Sequence, residues 1–178
     1  MAAPDLQRLM DACKASASPG LYFLALSALV TGARRGELLG LRWNQVDVEK
    51  GEAYLVASVT KTKRARTLIW AGPAFEELHR WAKVDESLVA DSPVFPSLKN
   101  PRKPLVNLQK YWEIAREAAG DNMRWRDWRH QCGTYLAMSG MNAFMIADVL
   151  GHTSTLTTQR YVHMTTESKR EALRTVFG

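Results

Sequence analysis

Between residues 43 and 70 the chain changes its period, and that change constrains the fold more than any other feature. Before it, apolar residues recur at helical spacing: Leu6, Leu9, Met10 and Cys13, then Leu21, Leu24, Ala25, Ala28 and Leu29. Within it, Trp43 to Val48 is short and β-prone, and residues 49–52 form a turn. Ala53 to Val59 is rich in Val and Tyr, and Thr67 to Trp70 is β-prone again. After it the helical period returns. The expected architecture is mainly α with a small three-stranded antiparallel sheet, an α+β domain, with residues 61–64 at the tip of the second hairpin.

The helix boundaries follow from caps and breakers. A first helix is expected over 4–16, with Pro4 in its first turn. A second, strongly apolar helix stops at Thr31-Gly32, and a short third runs over 34–39 and closes at Gly40. Gly72-Pro73 opens a helix over 73–84. Asp91 to Pro104, rich in Pro and Ser, reads as a surface loop. Leu105, Leu108, Trp112, Ala115 and Ala119 carry a helix to Gly120. Further helices are expected over 126–139, over 143–150 up to Gly151, over 154–161 and over 167–176. No repeat or low-complexity tract interrupts them, so residues 1–178 read as a single domain.

No run of about 18 apolar residues spans a bilayer. No charged start with a long apolar core marks a secretory signal. The two cysteines, Cys13 and Cys132, lack metal-site spacing and read as reduced, packed thiols in a cytoplasmic protein. No metal motif or cofactor motif is present in the sequence, and none is expected. The formal charge is +6, from 24 Lys+Arg against 18 Asp+Glu. Its distribution is more informative. Lys61, Lys63, Arg64 and Arg66 cluster without an acid, as do Lys99, Arg102 and Lys103. Arg124, Arg126 and Arg129 are diluted only by Asp127. One fold can therefore present a basic face to an acidic partner.

Several of these cations fall at helix starts and loop tips. Arg34 follows a helix stop, Arg129 lies in the first turn of a helix, and Lys61 sits on a hairpin tip. His152 follows Gly151, and Tyr161 lies nine residues on. Singly, each has an ordinary reading: a solvated or ion-paired arginine, a capping histidine, an amphipathic tyrosine. Together they compose a phosphate site. Two guanidiniums grip non-bridging oxygens bidentately and neutralise a phosphorane as it forms. A tyrosine hydroxyl among cations is biased toward phenolate and can attack phosphorus. A hairpin lysine can protonate the leaving alkoxide.

The segment Thr31-Gly32-Ala33-Arg34-Arg35-Gly36-Glu37-Leu38-Leu39, continued by Leu41, Trp43 and Asp47, resembles the first arginine box of the tyrosine recombinases, or phage integrases. Lys61 falls on the hairpin where that family carries a catalytic lysine. Arg126-Asp127-Trp128-Arg129-His130 is similar to its His-x-x-Arg-His segment, and Leu150-Gly151-His152 to its Leu-Gly-His motif. Thr157-Thr158-Gln159-Arg160-Tyr161 is similar to the segment ending in the nucleophile. The five elements occur in family order over residues 31–161.

The resemblance implies a metal-independent DNA strand transferase. Arg34 and Arg129 would clamp the scissile phosphate of double-stranded DNA, with Lys61 as general acid for the 5′-oxygen and Lys63 as its rival. His152 would hydrogen-bond a non-bridging oxygen. Tyr161 would form a 3′-phosphotyrosyl link, and Glu37 would orient the active-site groups. Lys63, Arg64, Arg66 and Arg124 would track flanking phosphates. Arg126 stands where the family has histidine; it still donates to phosphate but cannot shuttle a proton near neutral pH. The family's N-terminal helical domain is expected to lie outside this chain. The last helix, with Leu173, Val176 and Phe177, would dock on a neighbouring protomer of a tetramer on DNA or fold back on its own domain. A phage or mobile element is the implied source. Two other readings remain open from sequence: a decayed, non-catalytic DNA-binding remnant, and a type IB topoisomerase-like activity. Trp81, Trp112, Trp125 and Trp128 are read as packing residues rather than base-stacking ones.

Overall fold

The computed structural model describes residues 3–56, 65–84, 90–106, 108–152 and 174. At the centre is α2 (Leu21–Thr31), apolar nearly all round, with Phe23, Leu24, Ala25 and Ala28 buried. A helix of that composition is stable only when surrounded. It is packed by α1 (Ala3–Lys14), α3 (Arg35–Leu39), α4 (Pro73–Val84), α5 (Leu108–Ala118) and α6 (Asp127–Met138). The last described helix, α7 (Ala143–Leu150), packs on α6 through a small cluster of Cys132, Ile146 and Leu150.

The sheet has the order β1-β2-β3, all antiparallel: β1 (Val46–Asp47), β2 (Glu52–Leu55) and β3 (Arg66–Ile69). Register pairs Val46 with Ala53 and Leu55 with Arg66. Ala53, Leu55 and Leu68 point to the core, while Tyr54, Thr67 and Ile69 face out. The mainly helical fold with one small antiparallel sheet is the expected one. The hairpin tip, residues 57–64, and the helices expected over 154–161 and 167–176 lie outside the described residues.

Two expected elements are shorter. The strand expected over 43–48 keeps only Val46–Asp47, because Trp43–Gln45 is a 3-10 turn. Its backbone is engaged elsewhere: Trp43 N–H donates to Ser92 O at 3.1 Å, and the Gln45 side chain accepts from Arg42 N–H at 3.0 Å. The helix expected from Leu105 begins at Leu108, because Leu105 N–H donates to Phe95 O at 2.9 Å.

The tryptophans pack, as their spacing suggested. Trp112 meets Trp125 edge-on at 5.2 Å and Trp128 at 5.6 Å, and Trp81 donates its indole N–H to Val94 O. Burial pushes the thiols of Cys13 and Cys132 up to about 12 and about 11, so both are inert at neutral pH. Among the described residues no helix is long and apolar enough to cross a membrane.

Candidate active site in an arginine cleft

The end of α2 and the start of α3 form the first wall of the site. Gly32 caps α2 at φ 60°, the left-handed region, and its N–H donates to Ala28 O. The Thr31 hydroxyl donates to Ser27 O at 2.7 Å and accepts from Ala33 N–H at 3.1 Å. These bonds fix the bend after which Arg34 is extended, at φ −71° and ψ 150°, immediately before α3. Glu37, one turn in, reaches back to accept from Arg34 N–H at 2.8 Å and from Arg34 Nη1 at 2.9 Å. The sequence Arg34-x-x-Glu37 therefore fixes its own arginine.

The second wall is the first turn of α6. Arg129 points toward the α2–α3 bend, where its Nη1 donates to Gly32 O at 2.7 Å. Arg126 precedes the same helix and is exposed. Between the walls lies a cleft of about 520 Å³. Arg34, Arg35, Arg116, Arg124, Arg126 and Arg129 line it, with Glu113 as its one acid among the described residues, over apolar groups of Ala33, Trp112, Met123 and Trp125. Arg34 and Arg129, expected to act together, thus share one cleft with Arg126. Arg124 borders it too, restrained by Asp127, which accepts from its N–H at 2.9 Å.

Glu37 sets the electrostatics beneath the cleft. Its side chain is 3% exposed. Burial alone would raise its carboxyl, but the Arg66 charge and the hydrogen bonds from Arg34 and Arg66 outweigh burial and hold it below the usual carboxylate range. A buried carboxylate in contact with two guanidiniums stays ionised and keeps both in place.

Arg66, expected to track flanking phosphates, has a side chain that is only 9% exposed. Its Nη2 donates to Glu37 Oε2 at 2.7 Å, and its Nη1 donates to Val149 O in the last turn of α7. It faces inward rather than toward solvent.

His152 follows α7 through a left-handed Gly151 at φ 64°, and its N–H donates to Ala147 O at 2.8 Å. That closure fixes its backbone. The residue does not line the cleft; its turn is joined to Arg34 through Arg66 and Glu37. Lys61, Lys63, Arg64 and Tyr161 lie outside the described residues.

Arg35 and Arg116 were not singled out from sequence. Arg35 directly follows the boxed Arg34. Arg116 lies four residues after buried Trp112, so helical spacing already placed it beside the apolar stripe at the cleft edge. Its Nε is buried without a hydrogen-bond partner among the described residues.

A side chain at Gly32 would be strained and crowded. A Cβ there would lie 2.4 Å from Leu150 Cδ2 and 3.1 Å from Cys132 Sγ, at a φ that L residues disfavour. Gly32→Ala is expected to lower stability by about 2–4 kcal/mol, the sum of left-handed strain and overpacking. Urea unfolding measures it; a change of only about 1 kcal/mol would show that α7 yields and that backbone strain alone remains.

The family model described as the phage integrase family matches residues 1–168. The integrase of Salmonella phage P22 is 25% identical, covering 98% of this chain and 46% of its own length. The tyrosine recombinase XerC of Roseiflexus castenholzii is 29% identical, covering 78% of this chain and 45% of its own length. The chain spans about half the length of these curated relatives. Among solved structures, the catalytic domain of bacteriophage HP1 integrase superposes with a TM-score of 0.72 at 22% identity, covering 98% of this chain and 92% of that one. The Tn1549 transposon integrase, solved with transposon right end DNA, gives 0.77 at 16% identity, covering 100% and 66%. These structures share the fold. With the family model matched over nearly the whole chain, the protein belongs to the phage integrase family, the tyrosine recombinases.

Proposed function

We propose that this chain is the catalytic part of a site-specific DNA recombinase that cuts and rejoins strands through Tyr161. The observation that carries the reading is the cleft in which Arg34, Arg126 and Arg129 converge, within a chain of this family. Double-stranded DNA is the substrate, and the chain works as a homo-oligomer on it through the segment 167–176.

In the proposed reaction the Tyr161 hydroxyl gives its proton to solvent and the phenolate oxygen attacks phosphorus. The bond from phosphorus to the 5′-oxygen breaks, and Lys61 gives that oxygen a proton. A 3′-phosphotyrosyl ester remains, and attack by another 5′-hydroxyl reverses the sequence on a new strand. The ester conserves the phosphodiester energy, so no nucleotide triphosphate is consumed. Arg34 and Arg129 offset the charge on the equatorial oxygens without changing protonation state. His152 donates to a non-bridging oxygen. Arg126 adds a permanent charge where a histidine would titrate.

The test is covalent trapping on nicked duplexes with a randomised core. Cleavage next to the nick releases a short oligonucleotide, so the adduct cannot reseal. Wild type is expected to form an SDS-stable adduct and Tyr161→Phe none. If both gave equally little adduct on duplexes they demonstrably bind, the recombinase reading would fail in favour of a non-catalytic DNA-binding remnant. Relaxation of supercoiled plasmid without site preference would point instead to topoisomerase-like activity.

A further inference from the structure

Arg66 is the most enclosed guanidinium in an ion pair among the described residues, and no motif assigns it a task. It connects three elements. Nη2 donates to Glu37 Oε2 at 2.7 Å, and Glu37 holds both the backbone and the guanidinium of Arg34. Nη1 donates to Val149 O, one of the terminal carbonyls of α7, where a cation also meets the negative end of the helix dipole. Its stem lies under the turn that carries His152: a Cβ on Gly151 would stand 2.8 Å from Arg66 Cδ and 3.0 Å from Nε. Arg66 is also the first residue of β3.

We propose that Arg66 is a positioning residue that sets the Arg34–Glu37 pair, the Gly151-His152 turn and the start of β3 in one register. This rests on the recombinase reading for its catalytic consequence, though not for its structural one. Only a planar fork with separated donors reaches a carboxylate and a helix-end carbonyl at once. The Gly151 backbone packs so closely on the Arg66 stem that no Cβ fits between them. Arg66 is not among the residues that line the arginine cleft.

Arg66→Met and Arg66→Lys separate this role from its rivals. The first readout needs no activity. Carbon NMR of labelled Glu37 should show its carboxyl titrating higher in Arg66→Met than in wild type, with Arg66→Lys between them. Hydrogen exchange should speed at the amides of residues 151 and 152 in both variants, because lysine cannot also hold Val149 O. The second readout is single-turnover adduct formation on the nicked duplex pool, at a temperature where each variant is fully folded. Arg66→Met is expected to be slowed about 10²-fold, the cost of misplacing reacting groups by about an ångström. Arg66→Lys should be slowed less. Affinity for a duplex of arbitrary sequence, and its salt slope, should be unchanged.

A salt slope smaller by about one unit would mean a direct phosphate contact and overturn the proposal. An unchanged cleavage rate in a variant that has merely lost melting temperature would reduce Arg66 to a structural ion pair and overturn it too. If wild type formed no adduct, the recombinase reading would fail, while the Glu37 titration and the exchange at 151 and 152 would still decide whether Arg66 registers these elements.

Discussion

Arg129→Ala is expected to slow single-turnover strand cleavage by about 10³-fold, the upper range for removing one preorganised donor from a developing oxyanion. Preorganisation is the reason for so large an effect. The guanidinium is half-buried, and Nη1 is already bonded to Gly32 O at 2.7 Å, so one edge of the fork is fixed before any phosphate arrives. In the proposed reaction, charge developing on the phosphorane would meet a cation that need not reorient. Arg129→Lys should recover little, because an ammonium cannot bond Gly32 O and a phosphate oxygen in one plane. Folding should suffer far less, by about 1 kcal/mol for the lost carbonyl partner. Rates on saturated nicked duplex, with urea unfolding alongside, check both numbers. A rate loss under tenfold would remove Arg129 from the phosphate clamp.

Glu37→Gln is expected to cost about 3 kcal/mol of stability and, in a chain of this size, to lower Tm by roughly 6–12 °C. The amide has nearly the shape of the carboxylate, so packing is conserved and charge is what changes. Arg34 and Arg66 would be left as neighbouring cations with no anion between them. The pH dependence has a definite sign. The folded carboxyl titrates below its unfolded value, which is about 4.3. Its contribution is therefore complete above that value and is lost as pH falls through the lower, folded one. The gap between wild type and Glu37→Gln should stay constant from pH 7 to about 5 and close in more acid solution. Urea titrations at pH 7, 5 and 3.5 measure it. A gap that widened in acid would mean Glu37 is not the anion of this cluster.

Much of this was legible from residue order. The apolar stripe of α2, the glycine stops at 32, 40 and 151, and the break into a small sheet all fall where pattern and breakers place them. Arg34 and Arg129 were legible because their spacing from glycines and helix starts is local. Arg66 was not. In sequence it is one cation in a basic run, and its partners are 29 and 83 residues away. Charge pattern cannot distinguish a cation facing solvent from one enclosed by a distant carboxylate. The shortened first strand has a similar cause: residues 90–94 supply its backbone partners, and nothing local announces them. Arg116 stood at legible helical spacing, but no motif set it apart from an ordinary surface arginine.

The contacts that join the site span great lengths of chain. Arg66 to Val149 closes 83 residues, Arg129 to Gly32 closes 97, and Cys132 to Val30 closes 102. Contacts of such separation carry the loop-closure entropy of the intervening chain and form late. During synthesis the first arginine box leaves the ribosome long before α6 and α7 exist to hold it. A nascent or truncated chain ending before residue 149 therefore carries Arg34 and Glu37 without the helix that anchors Arg66. The anchoring of Arg66, and through it of the Arg34–Glu37 pair, is thereby tied to synthesis of the chain as far as residue 149.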